Sequence, residues 1–233
     1  MRRILHYALI PTICWLLASC SSVPTAQVKD TTRTFTTVVI DAGHGGKDNG
    51  AYRRYGGAEK NATLDVATRL AEKLQASKFH TVMTRSTDEF IPLDERAAIS
   101  NRQKNAIFVS VHFNDSGRRG IHGFETYYHS PVSRELAFRI QQQLMTLPGA
   151  SNRGVKTANY RVLRKADYPA VLVECGFLSN RSDGAAAKSA SYREELADKI
   201  AAAIVDQRHA KGSDNSEGPL TASRSADSSH HRE

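Results

Sequence analysis

Between Thr36 and His209 the spacing of apolar and polar positions changes repeatedly, and each change marks a new element. Thr36–Asp41, Thr81–Arg85, Ile107–Val111 and Ala170–Glu174 are short apolar runs rich in β-branched residues, which predicts buried strands. Gly123–Tyr128 and Tyr160–Leu163 read as two further strands. Glu59–Ser77 carries Leu64, Ala67, Leu70, Ala71 and Leu74 at helical spacing. A second helix is predicted over Leu93–Asn105 after Pro92, a third over Val132–Leu147 before Pro148-Gly149, and a last over Tyr192–His209. Strands alternating with helices predict an α/β three-layer sandwich, a twisted and mostly parallel sheet of about six strands with helices on both faces. In such sheets ligands collect at the carboxyl ends of the strands.

The flanks lack this periodicity. Met1-Arg2-Arg3 opens a mostly apolar stretch from Ile4 to Leu17, too short for a comfortable span and suited to a signal segment. Leu17-Ala18-Ser19-Cys20 resembles the bacterial lipobox, which makes Cys20 the expected lipidation site; an ordinary cleaved signal with an incidental cysteine is the alternative. Ser21 after the cysteine fits outer-membrane sorting by the same resemblance. The organisation expected is a lipoprotein signal over residues 1–20, a polar tether over 21–34, a catalytic domain over 35–211 and a disordered tail over 212–233. The protein is thereby expected to be exported, to sit on the periplasmic face of a membrane, and to be monomeric.

Composition narrows the function classes. Lys and Arg number 32 against 24 Asp and Glu, a formal net charge of +8. Such a balance attracts anionic polymers or membrane surfaces, or else is a generally basic surface; the scatter of the cations favours the second reading. No recognition motif accompanies the charge, so no nucleic-acid partner is expected. Of the three cysteines, Cys14 and Cys20 lie in the signal segment, which leaves Cys175 alone in the domain and allows no internal disulfide. Cys175 has no activating base nearby in sequence and reads as a small buried residue.

Candidate chemistry stands at strand ends. Val38–Asp41 runs into Ala42-Gly43-His44-Gly45-Gly46, a glycine turn that carries one histidine. Ile107–Val111 delivers His112 and, two residues on, Asn114. Ala170–Val173 ends on Glu174, and Glu59 opens a helix after Gly56-Gly57, where the helix dipole favours a carboxylate. Two histidines and two glutamates from four segments match the inventory of a hydrolytic zinc site. On the residues alone, histidines simply hydrogen-bonded in a core remain an equal reading. Asp41 and Asp48 flank His44; either orients a ligand or steadies the turn, and for Asp48 the turn is preferred. Arg85, Asp88 and Arg96 read as a structural charge cluster, and His80, His122 and His129 as surface or strand residues.

The motifs settle the comparison. Val39-Ile40-Asp41-Ala42-Gly43-His44-Gly45-Gly46-Lys47-Asp48, Glu59-Lys60-Asn61, Ser110-Val111-His112-Phe113-Asn114 and Val171–Asn180 resemble, in order, the four motifs of zinc-dependent N-acetylmuramoyl-L-alanine amidases of type 3. Thr84–Asp88 and Asn152-Arg153-Gly154-Val155-Lys156 fit the same run. The resemblance implies that His44, Glu59 and His112 hold Zn2+ and that Glu174 is the catalytic acid and base. It implies peptidoglycan as substrate, cut at the amide between the lactyl group of N-acetylmuramic acid and L-alanine. Asn114 either hydrogen-bonds substrate or caps the turn. Division-associated relatives carry a helical insertion after the third motif that covers the metal; Asp115–His122 is too short for one, so no activator protein is expected to be required. A zinc carboxypeptidase acting on wall peptides and a catalytically silent wall-binding lipoprotein are the competing readings.

Overall fold

The computed structural model describes residues 27–118 and 120–210. Its main sheet joins six strands: β1 (Thr37–Ala42), β4 (His80–Met83), β5 (Ala106–Asn114), β6 (Phe124–Tyr128), β7 (Asn152–Thr157) and β8 (Ala170–Phe177). They lie side by side as β4-β1-β5-β8-β6-β7. Every neighbouring pair is parallel except β6 with β8. A two-stranded ribbon, β2 (Tyr52–Arg53) and β3 (Gly57–Ala58), stands apart from it. Six α-helices complete the described residues: α1 (Glu59–Ala76), α2 (Leu93–Asn101), α3 (Arg134–Leu144), α4 (Arg161–Arg164), α5 (Arg181–Lys188) and α6 (Ala190–His209). The α/β sandwich read from the periodicity is the fold observed.

Strand parity divides the core in two. Val38 and Ile40 of β1, Ile107, Val109 and Val111 of β5, and Val171 and Val173 of β8 pack with Leu70, Ile140 and Ile200 from α1, α3 and α6. The alternate residues Val39, Phe108 and Leu172 face a smaller cluster that includes Val162 and Leu163 of α4. A period of two therefore sends one set of each strand to a thick helical layer and the other to a thin one. Asp41, Ser110, His112, Glu174 and Glu125 continue the thin-side parity toward the strand ends, just where apolar residues give way. This switch creates a polar floor at the edge where α/β sheets present ligands.

Several expectations are corrected. Tyr160–Leu163 is not a strand; Arg161–Arg164 form α4, and Val162 and Leu163 close the thin-side core. The sixth strand is instead Asn152–Thr157, an edge strand whose half-exposed polar residues and internal Gly154 conceal its period. The helix expected over Leu93–Asn105 stops at Asn101. Helix α5 goes unannounced by periodicity because its start signal is only the side chain of Asn180, which accepts from the Ser182 and Asp183 amides. The tether boundary also moves. The Thr31 hydroxyl donates to the Ala106 carbonyl at 2.5 Å, the Lys29 amide donates to Asp167, and Arg33 grips Glu135 and the α6 terminus. Residues 29–34 are therefore part of the folded unit. The signal segment with Cys20 and the tail over 212–233 lie outside the described residues.

We expect a domain cut to begin at Phe35 to be less stable than one beginning at residue 27 by about 1–3 kcal/mol, the loss of a few partly buried hydrogen bonds. Urea unfolding of the two truncated proteins side by side measures it; equal midpoints would return residues 29–34 to the tether.

Candidate active site

The site is built around a turn that is costly to form. His44 has φ +61°, a left-handed conformation that costs a residue with a Cβ about 1–2 kcal/mol. It is followed by Gly45 at φ +125° and Gly46 at φ +58°. Two buried arginines hold the turn by its carbonyls. Arg85 donates to Ala42 (2.9 Å) and Gly43 (2.8 Å), and Arg96 donates to Ala42 (2.7 Å) and His44 (2.6 Å). Asp41 fixes Arg96 in return at 2.8 Å and accepts from the Thr84 and Ser110 hydroxyls. Burial pushes the Asp41 carboxyl up, but Arg96 and the two hydroxyls outweigh it and hold the group below the usual 3.8. Asp88 closes the far side, accepting from the Gly46 amide and from Lys60. Arg85, Asp88 and Arg96 thus form the structural charge cluster that their sequence context implies.

This turn aims His44 at Glu59 and His112. The Glu59 Oε1 atom lies 3.1 Å from His44 Nε2 and 3.0 Å from His112 Nδ1. The three side chains place one ligand atom each within 4.8 Å of one another, a group that could hold a metal ion. Glu59 is fixed from both sides: its Oε2 accepts from the Ala51 amide and its Oε1 from the Phe113 amide. Burial raises the Glu59 carboxyl, and the two imidazoles more than reverse it, so the group stays ionised. Burial also works against charge on His44, but Glu59 and Asp48 prevail and raise its pKa.

Asp48 carries more weight than its place in the sequence suggests. Its Oδ2 lies 2.8 Å from His44 Nδ1 and its Oδ1 accepts from the Gly50 amide. Asp48 therefore sets the His44 ring and leaves Nε2 facing the cluster, the arrangement that orients metal-binding imidazoles. Gly43 has a positional reason too, because a Cβ there would lie 2.4 Å from the His112 ring.

Glu174 stands beside this group and not in it. On β8 it pairs in register with His112 of β5, and on its other side with Glu125 of β6. Its Oε2 is buried and accepts no hydrogen bond. Burial is the main cause that lifts its pKa well above the carboxylate range, helped by the charges of Glu59 and Glu125. Two imidazole nitrogens and a carboxylate suit a divalent ion of zinc type, and an orphaned carboxylate oxygen at the next strand is the partner such a site needs. The observed donor set thus fits a metal.

Asn114 is held in its turn, its amide donating to Glu125 and its oxygen accepting from the Asp115 amide. Cys175 is buried, and burial with the nearby Glu174 pushes its thiol well up, which keeps it inert. Periodicity and motif give no role to Glu125, a buried carboxylate gripped by Arg153 and Lys156. The one sign of it in the sequence is an acid at a thin-side position of the Gly123–Tyr128 strand.

Comparison with known proteins decides the family. Residues 38–206 match the family described as Amidase_3, N-acetylmuramoyl-L-alanine amidase. The chain belongs to this family. The amidase LytC of Bacillus subtilis (strain 168) is 39% identical over 168 residues, 70% of this chain and 34% of LytC. YqiI of the same organism is 40% identical over 168 residues, 70% of this chain and 81% of that protein. In structure, the N-acetylmuramoyl-L-alanine amidase AmiC2 of Nostoc punctiforme superposes with a TM-score of 0.70 at 36% identity, over 73% of this chain and 95% of that one. The chain thus spans about a third of LytC and most of YqiI and of the AmiC2 chain. All four motifs of the sequence resemblance fall inside the matched residues of the amidase.

We expect Gly43→Ala to displace the His112 ring and weaken the binding of added zinc about 10–100-fold, as losses of ligand orientation do. Competition with a chelating dye reads this directly. Asp41→Asn should destabilise the amidase by about 3–5 kcal/mol, since it strands a buried guanidinium. Because the folded-state pKa of Asp41 is lowered, its contribution is complete above about pH 3.8 and is lost as pH falls through the lower folded value. Melting temperatures from neutral pH downward should fall less steeply in acid for the variant than for the parent.

Proposed function

We propose that this amidase is a zinc hydrolase that cuts the amide between the lactyl group of N-acetylmuramic acid and the L-alanine of the stem peptide. His44, Glu59 and His112 hold the metal, and Asp48 orients His44. Bound zinc supplies Lewis acidity, which polarises the amide carbonyl and makes water a better nucleophile near neutral pH. The remaining chemistry belongs to Glu174. With a dication on the neighbouring cluster to offset the burial and like charges that raise its pKa, its carboxylate stays ionised. That carboxylate accepts a proton from the water that adds to the carbonyl carbon, then returns it to the leaving nitrogen as the C–N bond breaks. The products are a lactyl carboxylate and a free L-alanyl amine. The observation that carries this reading is that unpartnered Glu174 oxygen, buried and in register with His112.

The same reading extends to placement. We assign residues 1–20 to an export signal that ends in lipidation at Cys20, with the periplasmic face of the outer membrane as destination. The motif Leu17-Ala18-Ser19-Cys20 supports this. Among the described residues between Asn114 and Gly123 no helix intervenes that would cover the cluster, in keeping with an activity that needs no activator protein.

Glu174→Gln should lower turnover on purified sacculi by at least 10²–10⁴-fold, roughly the contribution of a positioned acid and base, while elemental analysis still finds one zinc. Mass spectrometry of the parent digest should show intact stem peptides freed from glycan. Release of single terminal amino acids instead would make the enzyme a carboxypeptidase, and undiminished turnover by the variant would remove Glu174 from its role.

A further inference from the structure

The sheet order sets out a second group of side chains in line with the first. His112 stands on β5, Glu174 on β8 and Glu125 on β6, and these three strands are successive neighbours. Glu125 and Glu174 are directly opposite in an antiparallel pair, so their side chains share a face. Next comes the edge strand β7 with Arg153 and Lys156.

Arg153 is held in an unusual way. Its Nε donates to Glu125 Oε1 at 2.5 Å, and its guanidinium lies over the Phe177 ring at 5.1 Å. Neither Nη atom has a hydrogen-bond partner among the described residues. The side chain retains 32% exposure, so both terminal donors reach solvent. Lys156 also spends one donor on Glu125, at 2.9 Å, and is partly exposed. Two cations on one carboxylate leave one positive charge. Glu125 is otherwise filled by Tyr127 and Asn114, so it cannot absorb more.

A guanidinium anchored by Nε and stacked on a ring presents two parallel N–H donors, the pattern that matches a carboxylate. We propose that Arg153, assisted by Lys156, forms a subsite for a carboxylate of the stem peptide on the leaving side of the cleaved amide. This rests on the amidase reading above. Glu174 returns its proton to the leaving nitrogen, so the peptide departs over β8 toward β6 and β7. Strands lie about 4.8 Å apart, which puts Glu125 roughly 10 Å from His112. An extended peptide advances about 3.3–3.6 Å per residue, so the carboxylate belongs to the second or third residue of the stem.

The test uses three substrates: an N-acetylmuramoyl tripeptide that begins with L-alanine and carries free carboxylates on its second and third residues, and two analogues with one of these masked as the primary amide. Peptide release is measured with the zinc-loaded enzyme. Masking one of the two carboxylates should lower kcat/KM roughly tenfold or more, the loss of a charge-assisted pair. Arg153→Gln should bring the free and masked substrates to similar values, and Arg153→Lys should leave an intermediate preference. If Arg153→Gln melts before assay, a preference reduced in Arg153→Lys carries the proposal. Indifference of the parent to both masks, or a preference unchanged in the variants, would overturn the subsite alone. Failure of the parent to release peptide from any of the three would overturn the amidase reading itself.

Discussion

Two buried guanidinium groups gripping three consecutive backbone carbonyls are what the rest of this site depends on. The chain leaving β1 must turn sharply while it presents an imidazole, and His44 adopts a left-handed backbone to do so. Beyond the strand ladder the Ala42 and His44 carbonyls take their side-chain donors from these guanidinium groups, and the Gly43 carbonyl accepts from Arg85 and from the Thr63 hydroxyl. Arg85 and Arg96 supply those donors from β4's end and from α2. Asp41 neutralises the buried Arg96 and is itself held by Ser110 of β5. Backbone strain, buried charge and ligand direction are thus one linked arrangement, the kind of locally costly geometry that persists where surrounding contacts over-determine it.

The carboxylates across the strand ends follow a related logic. Glu59, Glu174 and Glu125 lie near one another in a largely buried setting, and like charges this close oppose each other. Each is managed differently. Glu59 faces two imidazoles and two amide donors. Glu125 draws in Arg153, Lys156, Tyr127 and Asn114. Glu174 between them receives nothing on Oε2. Its neighbours being satisfied, it alone of the three is left with a buried oxygen that has no hydrogen-bond partner.

How much of this is legible in the sequence depends on whether a residue's role lies in a local pattern. Strands such as Ile107–Val111 are buried on both faces, so their apolar runs announce them. The strand Asn152–Thr157 stays silent, because an edge strand with few buried residues has no period to read. His44, Glu59, His112 and Glu174 each sit at the end or start of a readable element, so all four stand out as candidates from the chain's pattern, and the resemblance alone singles out the first three as ligands. Asp48 is harder to weigh, because a turn aspartate and a histidine-orienting aspartate look alike in sequence; only the 2.8 Å contact separates them. Tyr160–Leu163 mimics a strand because a four-residue helix is too short to show helical spacing, and Val162 with Leu163 forms a short apolar, partly β-branched run.

The single antiparallel junction in the main sheet decides which residues flank Glu174. Had β6 run parallel to β8, the carboxyl end of β6 would share the cleft edge with Glu174. Instead β6 runs the other way, so Glu125, near its amino end, meets Glu174, near the carboxyl end of β8. β7 is parallel to β6, and Arg153 therefore also lies at an amino-terminal strand end on this same edge. The reversal thereby places a cation-bearing strand beyond Glu174, on the side away from His44, Glu59 and His112. A sheet parallel throughout would put different residues there, so the topology itself assigns one flank of Glu174 to the His44, Glu59 and His112 cluster and the other to a cationic rim.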